Sequence, residues 1–224
     1  MRAAWLLPLV LAGCHAAAVA PPQWEAPRAG LETTWAQRRL GTRSCALLAD
    51  VDYEGPPKDR SFTLELFYKA PGEYLLRGRG TLGVEGFRAR VHGDSVVLLL
   101  ERQDRGYQGP ADGLPPSTRK LWLLMRDALP WLVGEREALS GARFEYAPRG
   151  DRPTRLRVAT DSTRLELEYA RYREEYPFWH LRSALGTSSE ALLRLSIRQQ
   201  LYNTDLDSAL FELKLPAGTE PLLD

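Results

Sequence analysis

The sequence predicts an α+β domain in which one face of a large antiparallel sheet is buried beneath helices. The first observation behind this prediction is the alternation of apolar and polar residues in several short segments, which is typical of strands with one buried face. The second is the short turns between these segments, because they favour antiparallel pairing of neighbours. The third is one longer segment, residues 117–134, in which apolar residues recur at helical spacing.

The chain begins with a segment typical of an export signal. Arg2 supplies a positive charge, and the apolar run at residues 3–11 is too short to span a bilayer. Small residues lead from this run directly into Cys14, and the sequence LAGC resembles the lipobox of bacterial lipoproteins. The resemblance implies that residues 1–13 are a signal peptide and that Cys14 is the lipid-attachment site, alkylated with diacylglycerol. Conventional cleavage within residues 16–18, which would discard Cys14, is the alternative.

The segment after the signal is expected to be a tether. Residues 14–27 are small and rich in proline, without an apolar period, so the folded domain is expected over residues 28–224. The second cysteine, Cys45, has apolar neighbours and is expected to be buried. It has no disulfide partner if Cys14 is lipidated, and a bond between the two cysteines is the alternative if Cys14 is not. No other segment is long and apolar enough to cross a membrane.

The elements of the domain follow in order along the chain. Leu31, Thr34, Trp35 and Arg38 share helical spacing and predict a short helix that ends near Gly41. Apolar and polar residues then alternate, as in half-buried strands, at residues 61–69, 87–91, 164–169, 193–198 and 211–215. Turn sequences lie between such segments at residues 70–72, 92–94, 148–151 and 160–162.

Residues 117–134 form the second predicted helix. Its apolar face comprises Leu121, Leu124, Met125, Ala128, Leu129, Leu132 and Val133, and Trp122 and Trp131 widen it. Pro130 is expected to kink or end the helix partway, and Ser117 or Thr118 is expected to cap its amino end. Two interpretations remain open. The helix either packs on the sheet as ordinary core or forms a lid over an apolar cavity, where methionine and tryptophan suit an adaptable lipid contact.

Three patterns that suggest a chemical site are better explained as structure. Residues 78–83 fit G-x-G-x-x-G, but the next residues predict a strand where a dinucleotide site needs a helix. Residues 117–120 fit S-x-x-K without the companion motifs of penicillin-binding enzymes. The three histidines lack cysteines or carboxylates at metal-ligand spacing. A net charge of +1 gives no overall basic field for nucleic acid. We therefore expect a protein that is not an enzyme and uses no metal or cofactor.

Two stretches of the chain carry a resemblance to a known family. Residues 64–109 contain a strand, the turn Lys69-Ala70-Pro71-Gly72 and Asp94 before an apolar strand, while residues 203–218 contain an aromatic-x-apolar pattern closed by Pro-x-Gly. These features resemble the outer-membrane lipoprotein carrier and receptor proteins, LolA and LolB, over roughly residues 28–218. The resemblance implies a strongly curved antiparallel half-barrel of about ten or eleven strands, with helices covering its concave apolar face.

The same resemblance implies a function. Such proteins bind acyl chains of lipids or lipoproteins in an apolar cavity and pass them on, which implies a role in lipoprotein or lipid transfer or sorting. The expected lining is Phe62, Leu64, Leu66, Val91, Leu98, Leu121, Trp122, Leu124, Met125, Trp131, Leu165, Leu167, Leu195 and Phe211. Members of the receptor branch carry an exposed apolar residue on a loop, for which Leu114 is the candidate here.

The expected location and partners follow from the lipobox and the resemblance. Cys14 would attach the protein to a membrane of the bacterial envelope, and His15 in place of the aspartate retention signal favours the periplasmic face of the outer membrane. The expected partners are the membrane, lipid or lipoprotein acyl chains and a periplasmic carrier protein, without nucleic acid. The alternative is a structural or scaffolding envelope lipoprotein that binds a protein partner through its sheet.

Overall fold

A computed structural model describes residues 21–56, 58–80, 82–160, 163–170 and 180–222. The predicted signal peptide, Cys14 and the first half of the predicted tether lie outside these residues, so the expectations about them stay predictions. No helix in the described ranges has the length and apolar character needed to cross a membrane.

The described residues form two α-helices and twelve strands. In chain order the elements are α1 (Leu31–Gly41), β1 (Ser44–Glu54), β2 (Arg60–Lys69), β3 (Glu73–Arg79), β4 (Glu85–His92), β5 (Ser95–Leu100), β6 (Arg105–Pro110), α2 (Pro116–Val133), β7 (Arg143–Tyr146), β8 (Pro153–Ala159), β9 (Arg164–Tyr169), β10 (Leu181–Thr187), β11 (Leu192–Tyr202) and β12 (Glu220–Pro221). Short 3-10 helices lie at Ala111–Gly113 and Ser208–Phe211.

All strands belong to one curved sheet in the order β12-β6-β5-β4-β3-β2-β1-β11-β10-β9-β8-β7. Two antiparallel meanders, β1–β6 and β7–β11, join where β1 pairs with β11. Only the short β12 pairs in parallel, with β6. The end strands β7 and β12 are not paired with each other, so the sheet does not close. The predicted class, a large curved antiparallel sheet with helices, is confirmed in this form, with twelve strands instead of ten or eleven.

One face of the sheet, which we call the inner face, carries the main core. On β1 it bears Cys45, Leu47, Ala49, Val51 and Tyr53, all at most 3% exposed, while the alternate residues point to the outer face. These inner-face residues belong to one apolar cluster with Trp35 of α1 and with most of the apolar face of α2. Burial of Cys45 confirms the prediction for that residue.

Helix α1 has the bounds that its sequence predicts. Gly30, with φ of 85°, precedes it, and Trp35 and Arg38 form its buried side. Glu32 lies in the first turn and basic residues lie in the last, which suits the dipole of the helix.

Helix α2 is confirmed, but its predicted cap is wrong. Pro115 occupies the N-cap position and Pro116 the first turn, so neither Ser117 nor Thr118 caps the helix. Proline suits the first turn because its missing N–H has no helical partner there. Of the two effects expected of Pro130, ending the helix does not occur, because α2 continues to Val133 before Gly134 adopts a left-handed φ of 78°, while a kink stays a prediction.

The prediction of a final strand at residues 211–215 is also wrong. Phe211 ends a 3-10 helix, and the chain continues irregularly to β12. Phe211 and Leu213 are buried, but they lie outside the main cluster, as do the outer-face residues Leu75, Val97 and Leu99. A Cβ added to Gly106 would lie 2.6 Å from Leu215 Cδ2. The carboxyl-terminal segment therefore covers the outer face near β3, β5 and β6 without pairing to it as a long strand.

The glycine-rich segment at residues 78–83 is part of a hairpin, as the sequence predicts. Gly78 lies in β3, and β4 begins at Glu85 where a dinucleotide site would need a helix. Gly78 faces Phe87 across the pair, and a Cβ added to it would lie 2.0 Å from the Phe87 ring. The glycine is thus required by the close approach of an aromatic ring.

Residues that precede α1 lie along the edge strand β7. The backbone N–H of Glu25 donates to Phe144 O at 2.8 Å, and Phe144 N–H donates back to Glu25 O at 2.7 Å. The Arg157 guanidinium lies 4.4 Å from the centre of the Trp24 ring. These contacts overlap the end of the predicted tether and shield part of an edge that would otherwise expose unpaired backbone groups.

Candidate functional site

Most residues of the predicted lining come together in the main apolar cluster. The sheet contributes Leu64, Leu66, Val91, Leu98, Leu165, Leu167 and Leu195, and α2 contributes Trp122, Leu124, Met125 and Trp131. Phe62 and Leu121 are partly buried and pack against the same cluster. Residues separated by more than a hundred positions in sequence therefore share one apolar interior between the inner face and α2.

Phe211 is not brought together with the others, because it is buried outside the cluster with the carboxyl-terminal segment. Leu114 is also not the exposed loop residue that was expected. It is only 1% exposed and lies just before α2, where its carbonyl accepts hydrogen bonds from Arg119. Among the described residues, the large apolar residue that is most exposed is Leu82, at 95%, in the turn between β3 and β4. Its φ of 81° is unusual for a residue with a side chain.

The side of α2 that faces solvent is attached to two turns of the sheet. Lys120 forms an ion pair with Glu190, which lies in the turn between β10 and β11. The Asp127 carboxylate accepts a hydrogen bond from the Thr163 hydroxyl at 2.7 Å, just before β9. Both members of the lysine pair are exposed, and exposed pairs contribute only about 0–1 kcal/mol. This part of α2 is thus held mainly by its apolar face.

The carboxyl end of α2 is held by a buried glutamine. Gln200 of β11 is 5% exposed, and its amide donates to Leu132 O at 2.9 Å. Its side-chain oxygen accepts from Leu181 N–H at 2.9 Å. One side chain therefore satisfies a carbonyl at the end of α2 and an N–H at the start of β10.

Glu135, which follows α2, reaches the turn between β2 and β3. One carboxylate oxygen accepts from Gly72 N–H at 2.8 Å, and the other accepts a short hydrogen bond from the Tyr74 hydroxyl. Burial, together with the hydrogen bond and charge of Glu135, raises the pKa of Tyr74 far above its ordinary value. Burial and the charge of Glu135 likewise raise the pKa of Tyr68. Both phenols therefore stay protonated near neutral pH, and Tyr74 remains a donor.

Arg38 of α1 lies against the last residues of α2. It is fully buried, donates to the Tyr202 hydroxyl at 2.8 Å and stacks over Trp35 at 5.0 Å. A Cβ added to Gly134 would lie 2.7 Å from Arg38 Nε, so the arginine packs directly against the end of α2. Burial lowers the pKa of Arg38, but electrostatic interactions with Tyr202 and Tyr169 more than offset this effect, and the pKa is raised.

Sequence reasoning missed the polar residues that hold α2. Glu135 contacts Gly72, 63 residues away, and Gln200 contacts Leu132, 68 residues away, and no local pattern marks these partners. Arg38 gave a usable signal, because a charged residue occupied a position on the apolar side of a predicted helix. It therefore could have been identified as a buried cation.

The interior shows no reactive chemistry within the described ranges. Burial raises the pKa of the Cys45 thiol to about 12, which keeps it protonated. No group of three or more histidine, cysteine or carboxylate side chains is arranged for a metal in the part of the chain that the structure describes. Two clefts, of about 510 and 300 Å³, lie at turns near Tyr169 and Asn203, and neither is lined by a residue of α2. Side chains of α2 themselves fill the interior.

Comparisons with known proteins give similarity in fold. No protein-family model matches the chain, and no curated protein matches its sequence. A DUF1329 family protein from Desulfovibrio piger is 10% identical with a TM-score of 0.51, and the match covers 83% of this chain and 97% of that one. The similar structures include a LolA superfamily protein from Nitrosomonas europaea, at 7% identity, a TM-score of 0.49 and coverage of 82% and 96%.

An outer membrane lipoprotein-sorting protein domain from Vibrio parahaemolyticus is also similar, with 10% identity, a TM-score of 0.47 and coverage of 81% and 95%. At these identities the likeness concerns the fold alone. What each of these proteins binds is a property of that protein.

Proposed function

We propose that this protein is an envelope lipoprotein that binds acyl chains of lipids or lipoproteins between α2 and the inner face of its sheet, for their transfer or sorting. The observation that supports this proposal best is the single apolar cluster shared by the inner face and α2. It provides a dry environment for hydrocarbon chains, which leave water with a gain of about 0.8 kcal/mol per buried methylene. The proposed activity is binding and release, without a covalent step.

In this proposal α2 is the lid of the site. Its side chains occupy the interior, so an acyl chain enters by displacing them, and one apolar contact replaces another. The hydrogen bonds of Gln200 and Glu135 hold the carboxyl end of α2, whereas the surface around Lys120 is held by a weak exposed ion pair. We therefore propose that α2 moves away from the sheet at its amino-terminal part and stays attached at its carboxyl end.

A lipid anchor at Cys14 would hold this site beside a membrane. Roughly ten residues separate Cys14 from Trp24, which contacts β8 through Arg157. Such a segment spans at most about 35 Å when extended. We propose the periplasmic face of the outer membrane as the location, with a periplasmic carrier as partner. Leu82, at the tip of a hairpin and next to the half-exposed Val84, is the candidate for the exposed apolar residue of the receptor branch.

The cargo itself provides the first test. The protein is expressed in a double-membraned bacterium with Cys14→Ser, purified without detergent, and extracted for mass spectrometry. We expect acyl lipids or acylated peptides in the extract, and a Met125→Glu variant that is still folded should carry less. A protein that contains no acyl species, and takes none up from vesicles, would refute the proposal.

The anchor is tested separately by labelling cells with a radioactive fatty acid. We expect the label in the wild-type protein and in the membrane fraction, and neither in the Cys14→Ser variant. Labelling that persists in Cys14→Ser would place the anchor elsewhere, without bearing on the interior site.

A further inference from the structure

Trp122 buries its indole N–H in the apolar interior. The residue is 8% exposed and belongs to the apolar cluster beneath α2. Its Nε1 atom is shielded from solvent, and no hydrogen-bond acceptor for it occurs in the part of the chain that the structure describes. An unsatisfied donor of this kind destabilises the folded protein, because it has lost its hydrogen bond to water.

A second buried tryptophan shows that the fold can satisfy such a group. Trp35 of α1 is fully buried, and its Nε1–H donates to Arg136 O at 2.6 Å. Phenylalanine at position 122 would fill much of the same apolar space without burying a donor. Because unsatisfied buried donors are rare in folded proteins, the N–H of Trp122 calls for an acceptor from outside the residues that the structure describes.

The chemistry of that acceptor is restricted. An indole N–H only donates, so its partner must accept. The surrounding cluster is apolar, and a carboxylate brought into it would lose far more hydration energy than one hydrogen bond returns. A neutral carbonyl fits best. In an acyl chain that is esterified, this group lies directly at the head of the hydrocarbon.

We propose that Trp122 selects esterified acyl chains by donating its indole hydrogen bond to the ester carbonyl. This inference rests on the proposed function, because it places the chain in the interior beneath α2. Trp131 lies nine residues further along the same helix, about 13 Å away at the usual rise per residue. The ester thus binds at Trp122, and the hydrocarbon extends along the apolar face of α2 toward Trp131.

The variant Trp122→Phe tests this inference, since it removes the N–H and keeps an aromatic ring. Trp131→Phe is the matched control, a buried tryptophan of the same helix that packs on Trp35 at 5.5 Å. The dissociation constant is measured by displacement of a polarity-sensitive dye with two probes, methyl laurate and the alkane of equal backbone length. We expect Trp122→Phe to weaken the affinity for methyl laurate about fivefold and to change the affinity for the alkane less than twofold. Trp131→Phe should change the affinity for both probes by a similar factor.

The result distinguishes a failure of the proposed function from a failure of the Trp122 contact alone. If neither probe displaces the dye from the wild-type protein, the proposed function fails, and this inference fails with it. If both probes bind but Trp122→Phe changes them equally, or changes neither, only the inference is overturned. Loss of an unsatisfied donor should leave the stability of the free protein unchanged or raised, so we expect Trp122→Phe to fold.

Nuclear magnetic resonance gives a readout in the wild-type protein. The indole N–H signal of Trp122 is identified by its absence from Trp122→Phe. We expect methyl laurate to move this signal downfield, as hydrogen bonding does, and the alkane to leave it unmoved. A signal that responds equally to both probes would contradict the contact.

An ester carbonyl is present in glycerophospholipids and in the diacylglyceryl group of lipoproteins. The same displacement is therefore repeated with a short-chain glycerophospholipid and with a synthetic diacylglyceryl-cysteine peptide. The ligand whose binding Trp122→Phe weakens more is the source of the ester. Equal binding of both ligands by Trp122→Phe and wild-type protein would overturn the inference.

Discussion

The Glu135 carboxylate accepts a hydrogen bond from the Tyr74 hydroxyl, and this contact joins the end of α2 to the start of β3. The second oxygen of the same carboxylate accepts from Gly72 N–H, so one side chain connects the helix to both the turn and the strand. Together with Gln200, which contacts Leu132, it fixes the carboxyl end of α2 against the sheet. In the proposed function, this is the end about which the helix moves.

The first prediction concerns the stability of the protein at alkaline pH. The pKa of Tyr74 is raised in the folded protein by burial and by Glu135, while its unfolded value is about 10. Its contribution to stability is therefore fully present below pH 10 and is lost as the pH rises above that value, because the unfolded chain loses the proton first. We expect the urea midpoint to fall between pH 9 and pH 11, and to fall less in Tyr74→Phe. An equal slope in both proteins would contradict the buried hydrogen bond.

The second prediction concerns Gln200. Replacement with alanine leaves the Leu132 carbonyl and the Leu181 N–H without their partner. Each unsatisfied group costs about 1–3 kcal/mol, so we expect Gln200→Ala to lower the free energy of unfolding by about 2–4 kcal/mol. The control is Gln199→Ala, at the exposed neighbouring position of the same strand, which should change it by less than about 0.5 kcal/mol. Similar losses in both variants would show that Gln200 does not hold the helix.

The third prediction concerns Gly78 and the ring of Phe87. A methyl group at position 78 would overlap the ring, so Gly78→Ala should destabilise the protein by about 1–3 kcal/mol in chemical unfolding. Gly80→Ala is the control, because the nearest atom to its added Cβ lies at 4.0 Å. Adding Phe87→Leu to Gly78→Ala should recover part of the loss, since a smaller side chain relieves the overlap. Additive losses in the double variant would argue against the close contact.

The fourth prediction separates Phe211 from the interior site. Phe211 is 3% exposed but belongs to the outer-face packing of the carboxyl-terminal segment. We expect Phe211→Ala to lower the free energy of unfolding by about 3–5 kcal/mol, as for other buried phenylalanines. At a temperature where the variant is folded, its affinity for methyl laurate should equal that of the wild-type protein. A specific loss of affinity in the folded variant would place Phe211 in the site after all.

Much of the sheet could be predicted because burial of one face imposes a period of two on the sequence. This holds for β2, where Leu64, Leu66 and Tyr68 are buried and the intervening residues are not. The same reasoning fails at residues 211–215. Alternation indicates that every second side chain is buried, but it does not indicate whether the backbone pairs with a neighbouring strand. Phe211 and Leu213 are buried against a sheet face, so the pattern is the same without a strand.

The candidate site could likewise be predicted only in part from the sequence. The apolar face of α2 follows from helical spacing, because any helix on an apolar sheet needs such a face. The hydrogen bonds that hold the helix do not follow from it. Glu135 and Gln200 find their partners only when the sheet brings distant segments together, and the orphaned N–H of Trp122 is visible only from its surroundings in three dimensions.

Acyl-chain binding beneath α2 is tested by the affinity of methyl laurate for the wild-type protein, Met125→Glu and Leu40→Glu. Met125 lies on the buried face of α2 and is 5% exposed. Leu40 is 73% exposed on α1 and serves as the matched control. Leu121→Glu, at a half-buried position of the same face, replaces Met125→Glu if that variant does not fold. We expect saturable binding to the wild-type protein and Leu40→Glu, and a loss of affinity of at least tenfold in the folded α2 variant. Binding that is unchanged in a folded α2 variant, or absent from the wild-type protein, would contradict acyl-chain binding beneath α2.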